Sequence, residues 1–230
     1  MIGIIGAMEE EVEQLKAAMV ADKKEEKAGM TFFSGELEGV PVTIVRSGIG
    51  KVNAAVCAQI LIDDFGVTSI VNTGIAGSLQ AKIDIADVVI SEDVLHHDMD
   101  ATGFGYPKGQ IPRMDVLSFA ADKNMIKAAE KACADAVPEI DAHLGRVVSG
   151  DQFVSDKGRK AEIVENFHGY CTEMEGAAVA QVAYLNDIPF VVIRTISDKA
   201  DDSASMDYPA FEKKAIANSV KIIRAFVKMI

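Results

Sequence analysis

Three clusters of acidic and hydroxyl side chains have the composition of a catalytic site. Glu9, Glu10 and Glu11 follow a short apolar run, Glu173 and Glu175 flank Met174, and Ser197 and Asp198 close the most apolar stretch of the chain. Carboxyl groups in this number suit general acid and base work, in which one group gives a proton while another takes one. Each cluster also has a structural explanation, since acids in a first helical turn offset the macrodipole and Ser or Asp after a strand caps the next helix. At about 100° per residue, Glu10 points away from the apolar stripe Met8, Val12, Leu15 and Met19, whereas Glu11 lies on its flank and can enter a pocket. Asp198 ends its strand, which would put it at the floor of a poorly hydrated cleft. A carboxyl group there stays protonated nearer neutrality, so it is the candidate general acid.

Other patterns lead nowhere. Gly3 and Gly6 do not complete a G-x-G-x-x-G, and Gly48-Ile-Gly50-Lys51 lacks the leading Gly and the Ser/Thr of a P-loop. His96-His97-Asp98 does not space two ligands on one helix face, so the expected site holds no metal and no cofactor. A net charge of -12 repels phosphate backbones and anionic lipid, which disfavours nucleic acid and membrane as partners and favours a small neutral or cationic ligand. Cys57, Cys133 and Cys171 are odd in number and show no C-x-x-C, which points to a reducing, cytoplasmic setting. The N-terminal segment shows no basic leader, and no apolar run approaches the roughly 18 residues of a membrane span.

The elements that must position these residues alternate between strand and helix. Ile2–Ile5 reads as a buried strand and the stripe after it as a helix. Met30–Leu37 and Val40–Ser47 read as a hairpin turning at Glu38-Gly39, and Lys51–Phe65 as a helix. A strand over Ser69–Asn72 should lead into a loop, Thr73–Gly77. Further strands are expected at Asp87–Val94, His143–Ser149 and Pro189–Ile196, with helices at Asp122–Ala136, Glu175–Asn186 and Asp207–Met229. His96–Asp115, rich in Gly, Pro and aromatics, reads as a long functional loop. With 49% apolar and 25% charged residues, no linker and no repeat, residues 1–230 are expected to form a single α/β domain.

In order along the chain, Gly6-Ala-Met-Glu-Glu-Glu11, Ser47-Gly-Ile-Gly-Lys51, Asn72-Thr-Gly-Ile-Ala-Gly77, Phe104-Gly-Tyr106, Ser149-Gly-Asp-Gln-Phe153, Glu173-Met-Glu175 and Ile196-Ser-Asp198 resemble the motifs of the methylthioadenosine/adenosylhomocysteine nucleosidases, of the nucleoside phosphorylase superfamily. The likeness covers nearly the whole chain. It implies a three-layer α/β/α fold around a mixed, partly barrel-like sheet. It also implies hydrolysis of the N-glycosidic bond of 5'-methylthioadenosine, S-adenosylhomocysteine and 5'-deoxyadenosine, in methionine salvage. By the same resemblance, adenine stacks on Phe153 and meets the Val154 backbone, and Asp198 protonates purine N7 beside Ser197. Glu11 activates water, and Glu175 accepts the ribose hydroxyls next to Met174. Met8, Ile49, Phe153 and Phe211 wall the 5'-alkylthio group, and Ala76 and Gly77 line the site. A second subunit closes it through Ala101, Phe104, Tyr106 and Pro112, which implies a homodimer.

One position departs from the pattern. Relatives often carry serine where this chain has Ile75, in a loop that helps hold water near Glu11 and Arg194. Two rival readings stand beside hydrolysis. A phosphorylase needs arginines to clamp phosphate, but Asn72 stands where such an arginine would lie. A silent nucleoside-binding protein would not need Glu11, Glu175 and Asp198 together.

Overall fold

The computed structural model describes residues 1–230, apart from the side chains of Ser205 and Met206. The chain runs β1 (Ile2–Gly6), α1 (Glu9–Ala18), β2 (Val20–Lys27), β3 (Met30–Leu37), β4 (Val40–Arg46), α2 (Lys51–Phe65), β5 (Ser69–Ser78) and β6 (Val88–His96). It continues through β7 (Phe119–Ala120), α3 (Lys123–Ala136), β8 (Ala142–Ser149), α4 (Lys157–Phe167), β9 (Cys171–Glu173), α5 (Gly176–Leu185), β10 (Phe190–Asp198) and α6 (Ala204–Phe226).

Every residue of β1 is buried, as an apolar run without alternation requires when both faces of a strand are covered. It pairs in parallel with β4 on one side and β5 on the other. β3 and β2 extend this sheet antiparallel, and the β3–β4 hairpin turns at Glu38 and Gly39, both at positive φ. β2 gave no sequence signal because it is an edge strand, Val-Ala-Asp-Lys-Lys-Glu-Glu-Lys, almost wholly exposed. Its charges discourage pairing with a further strand.

β5 also pairs in parallel with β10, and β10, β6, β8 and β9 return to β5, closing a mixed five-stranded barrel within the larger sheet. This is the expected α/β fold with its partly barrel-like sheet. The expected loop Thr73–Gly77 is instead the second half of β5, buried throughout. β10 supplies its partners, from Ile193 opposite Thr73 to Asp198 opposite Gly77. The glycines that suggest a loop serve here for close approach: a Cβ on Gly77 would sit 2.8 Å from Asp198 Oδ1.

The helices form two groups: α2 packs on α5, while α6 packs on α1 and α3 as well as β5 and β10. Their ends follow local chemistry. Asp122 caps α3 by accepting from the Asn124 and Met125 amides, and Gly66 ends α2 in the left-handed conformation at φ 61°. The expected helix at Asp207–Met229 begins earlier, at Ala204, and its last residues form a 3-10 turn, Val227–Met229. α4 and β9 were not read from the sequence. The first is a polar surface helix that buries only Ile163 and Phe167, and the second is three residues long. Among the described residues, no helix is long and apolar enough to cross a membrane.

Candidate active site

Glu11 is fixed by three backbone amides. As the third residue of α1, its Oε2 accepts from the Ala7 amide at 2.7 Å and the Met8 amide at 3.0 Å. This reach back to the N-cap satisfies the free amides of the helix start. Its Oε1 accepts from the Ile75 amide, in the second half of β5, at 3.1 Å. Glu11 therefore closes the start of α1 and reaches across to β5 at once, while Glu9 and Glu10 are exposed. Burial holds its carboxyl above the usual carboxylate range, against the opposing pull of Arg194 and the three amides. A carboxylate raised in this way is a stronger base than one in water.

Asp198 ends β10 and is 2% exposed. Its Oδ1 accepts from the Ala200 amide at 2.8 Å and its Oδ2 from the Ser197 hydroxyl at 2.8 Å. Burial again raises the carboxyl above its ordinary value, and the two hydrogen bonds only partly offset it. The expectation of a poorly hydrated strand end holds.

Between these two groups lies a cavity of about 450 Å³. It brings together Met8, Glu11, Ile49, Ala76, Gly77, Phe153, Val154, Met174, Glu175, Ser197 and Asp198, drawn from six separate stretches of chain. Ile49 and Phe153 are each 53% exposed and form its mouth. Other expected residues lie elsewhere. Ala101 is buried and Phe104 is 87% exposed; with Tyr106 and Pro112 they belong to a loop that does not line this chain's own cavity. Phe211 does not line it either: Tyr208, three residues earlier on α6, does, with its ring edge-on to Phe153 at 6.0 Å. Both aromatics sit on one helix, three residues apart and so on nearly the same face, and of the two it is Tyr208 that reaches the cavity.

Arg194 lies behind the cavity wall and is fully buried. It donates to Asn72 Oδ1 at 2.6 Å, forms an ion pair with Glu173, and lies 3.7 Å from Glu175 Oε2. Glu173 also accepts from the Ser149 hydroxyl and from the Glu175 and Gly176 amides. The sequence puts Glu173 in a cluster with Glu175 and gives it no role of its own, because its partners Arg194 and Ser149 lie far along the chain. Burial, and then the proximity of Glu173, raises the Glu175 carboxyl as well. Asn72 is occupied in turn, donating to the Ile5 carbonyl at 3.1 Å. Among the described residues that line the cavity, none is Lys, Arg or His.

A family model described as the phosphorylase superfamily matches residues 1–228. The chain belongs to the phosphorylase superfamily. Within the superfamily it is 41% identical over 228 residues, 99% of this chain and 97% of the relative, to a 5'-methylthioadenosine/S-adenosylhomocysteine nucleosidase of an Exiguobacterium species. The crystal structure of the nucleosidase of that name from Neisseria meningitidis, in complex with methylthio-immucillin-A, is 40% identical. It superposes with a TM-score of 0.96 over 100% of this chain and 99% of that one. A Colwellia psychrerythraea counterpart in complex with adenine gives 0.95 at 40% identity, over 99% and 94% of the two chains.

One feature of this superfamily member ties the fold to the site. Gly74 passes so close to Glu11 and Arg194 that a Cβ there would overlap both side chains. Gly74→Ala is expected to displace both groups and to lower turnover on the order of 10²-fold, the cost of a small misplacement of reacting groups. Steady-state kinetics set beside thermal unfolding check this: a loss of turnover in protein that is still folded is expected, together with a lowered unfolding temperature, because the buried Arg194–Glu173 pair is disturbed.

Proposed function

We propose that the protein hydrolyses the N-glycosidic bond of 5'-methylthioadenosine and S-adenosylhomocysteine, and of 5'-deoxyadenosine, releasing adenine in methionine salvage and in the recycling of S-adenosylmethionine by-products. The observation that carries this is a buried cavity lined by Glu11, Glu173, Glu175 and Asp198, with no cationic side chain among its described lining. Such a cavity repels a phosphate nucleophile and accepts a neutral nucleoside and water. It supports the hydrolytic reading over the phosphorolytic one.

The geometry supports the following roles. Asp198, whose burial raises its carboxyl and so favours the protonated form, gives its proton to purine N7, so that adenine leaves as a neutral molecule. The C1'–N9 bond breaks toward an oxocarbenium-like ribose, as in glycoside hydrolysis by two carboxyl groups. Glu11 takes a proton from the water that attacks C1'. Glu175 accepts hydrogen bonds from the ribose hydroxyls and, with the other acids, stabilises the developing positive charge. Adenine stacks on Phe153 and meets the Val154 backbone, and the 5' substituent lies against Met8, Ile49 and Tyr208. Ile75 fits this scheme because its contribution to Glu11 is a backbone amide, which any residue supplies.

Residues 1–230 act as one unit, and the active form is a homodimer in the cytoplasm. The exposed Phe104 and its loop, idle in the chain's own cavity, support a partner-facing role for Ala101, Phe104, Tyr106 and Pro112. The apolar mouth at Ile49 and Phe153 supports the same reading.

Free adenine is expected from 5'-methylthioadenosine in phosphate-free buffer, at a rate that added phosphate leaves unchanged. A phosphate-dependent rate indicates a phosphorylase, and no release indicates a silent binder. Asp198→Asn is expected to lower kcat by about 10²–10⁴-fold while nucleoside binding, read by calorimetry, survives. The pH dependence follows from the two raised carboxyls. Glu11 must be ionised and Asp198 protonated, so kcat/KM falls on the acid side as Glu11 takes up a proton and on the alkaline side as Asp198 loses one. Both limbs of the measured profile should lie above the positions of ordinary carboxyl groups in water.

A further inference from the structure

Lys51 and Asp98 belong to motifs that the chemistry above leaves unused. The structure places them in one closed ring of contacts. Lys51 Nζ lies 2.6 Å from Asp98 Oδ1, with both side chains largely buried. Asp98 Oδ2 accepts from the Asp151 amide at 3.0 Å, and Asp151 Oδ1 accepts from the Lys51 amide at 2.8 Å. The ring ties the loops that follow β4, β6 and β8. A cation at the N-terminus of α2 opposes the macrodipole, so Lys51 does not stabilise its own helix. Asp151 does so instead, serving as a cap from another loop, because Gly50 at the N-cap has no side chain.

The ring borders the site on two sides. Gly50, next to Lys51, stands at φ 95° and donates its amide to Glu175 Oε1 at 2.8 Å. Asp151 is two residues before Phe153. A Cβ on Gly50 would lie 3.1 Å from Asp151 Oδ1, so the two loops are in contact. We infer that Lys51, Asp98 and Asp151 are positioning residues that hold the Gly50 amide on Glu175 and thereby aim its carboxylate at the ribose 2'- and 3'-hydroxyls. This rests on the ribose-facing role proposed for Glu175. Without the ring, the Gly50 loop loses its tether to the Asp151 loop, and the carboxylate loses the donor that selects one of its orientations.

The test compares 5'-methylthioadenosine with its 2'-deoxy analogue. Native protein is expected to prefer the ribonucleoside. Lys51→Met and Asp98→Ala should each lower kcat/KM on the ribonucleoside by on the order of 10²-fold, with a smaller loss on the deoxy analogue, which keeps only the 3'-hydroxyl for Glu175, so that the preference narrows. Lys51→Arg should restore most of it, and thermal unfolding follows the fold of each variant. Asp98→Asn keeps the acceptor for the Asp151 amide and removes the charge, and it should give an intermediate preference even if Asp98→Ala folds poorly. Equal losses on both substrates, or an unchanged preference, would overturn the inference while leaving the nucleosidase reading intact. Failure of the native protein to release adenine at all would instead overturn that reading.

Discussion

The site depends on one buried guanidinium. Arg194 is fully excluded from solvent, and Glu173, Glu175 and Glu11 all lie within its field. A buried charge is tolerated only when it is paired and hydrogen-bonded. Arg194 is paired with Glu173 and hydrogen-bonded to Asn72 through one terminal nitrogen, its Nε being left without a partner among the described residues, and the remaining two carboxyls share an environment in which burial raises both while the guanidinium lowers both. The balance lets several acids stand around one cavity without forcing the structure apart. It also keeps the cation behind the wall, out of reach of an anionic co-substrate.

The barrel makes this arrangement possible. β5 belongs both to the open sheet that starts at β1 and to the closed ring that contains β10. It therefore carries Asn72 and the Ile75 amide past Glu11 on one side and past Arg194 and Asp198 on the other. Gly74 and Gly77 occur where those side chains press against the strand, so the backbone there is shaped by the site as much as by the sheet.

Much of the frame was legible in the chain. The period of the apolar residues gave β1, the β3–β4 hairpin and α2, because packing against a core imposes that period. The elements that escaped are the charged edge strand β2 and the polar helix α4, which the core does not dictate, and β7 and β9, which are only two and three residues long and so carry no period. The second half of β5 was misread for the opposite reason. It is a strand only because β10 closes on it, and its glycines carry no local strand signal. In the site, helical geometry separates Glu11 from Glu10, and the structure buries the first at the cavity and leaves the second exposed; Asp198, singled out by its strand-end position, is buried at the same cavity. Phe211 entered through the family resemblance, whereas the structure puts Tyr208, one helical turn earlier on α6, at the cavity; packing against β5 and β10 sets that, and no local spacing marks it.

The sequence by itself determined the alternation of strands and helices and the carboxyl groups available for proton transfer. It also determined the absence of glycine-loop and metal-ligand spacings. These are properties of residue type and local spacing, which neighbouring residues settle among themselves. Tertiary structure alone decided which acids meet. Glu11, Glu175 and Asp198 lie far apart in the chain and share one cavity only because the barrel closes between β5 and β10. Their proton affinities were decided at the same level, since burial is set by the folded chain as a whole and not by any segment of it.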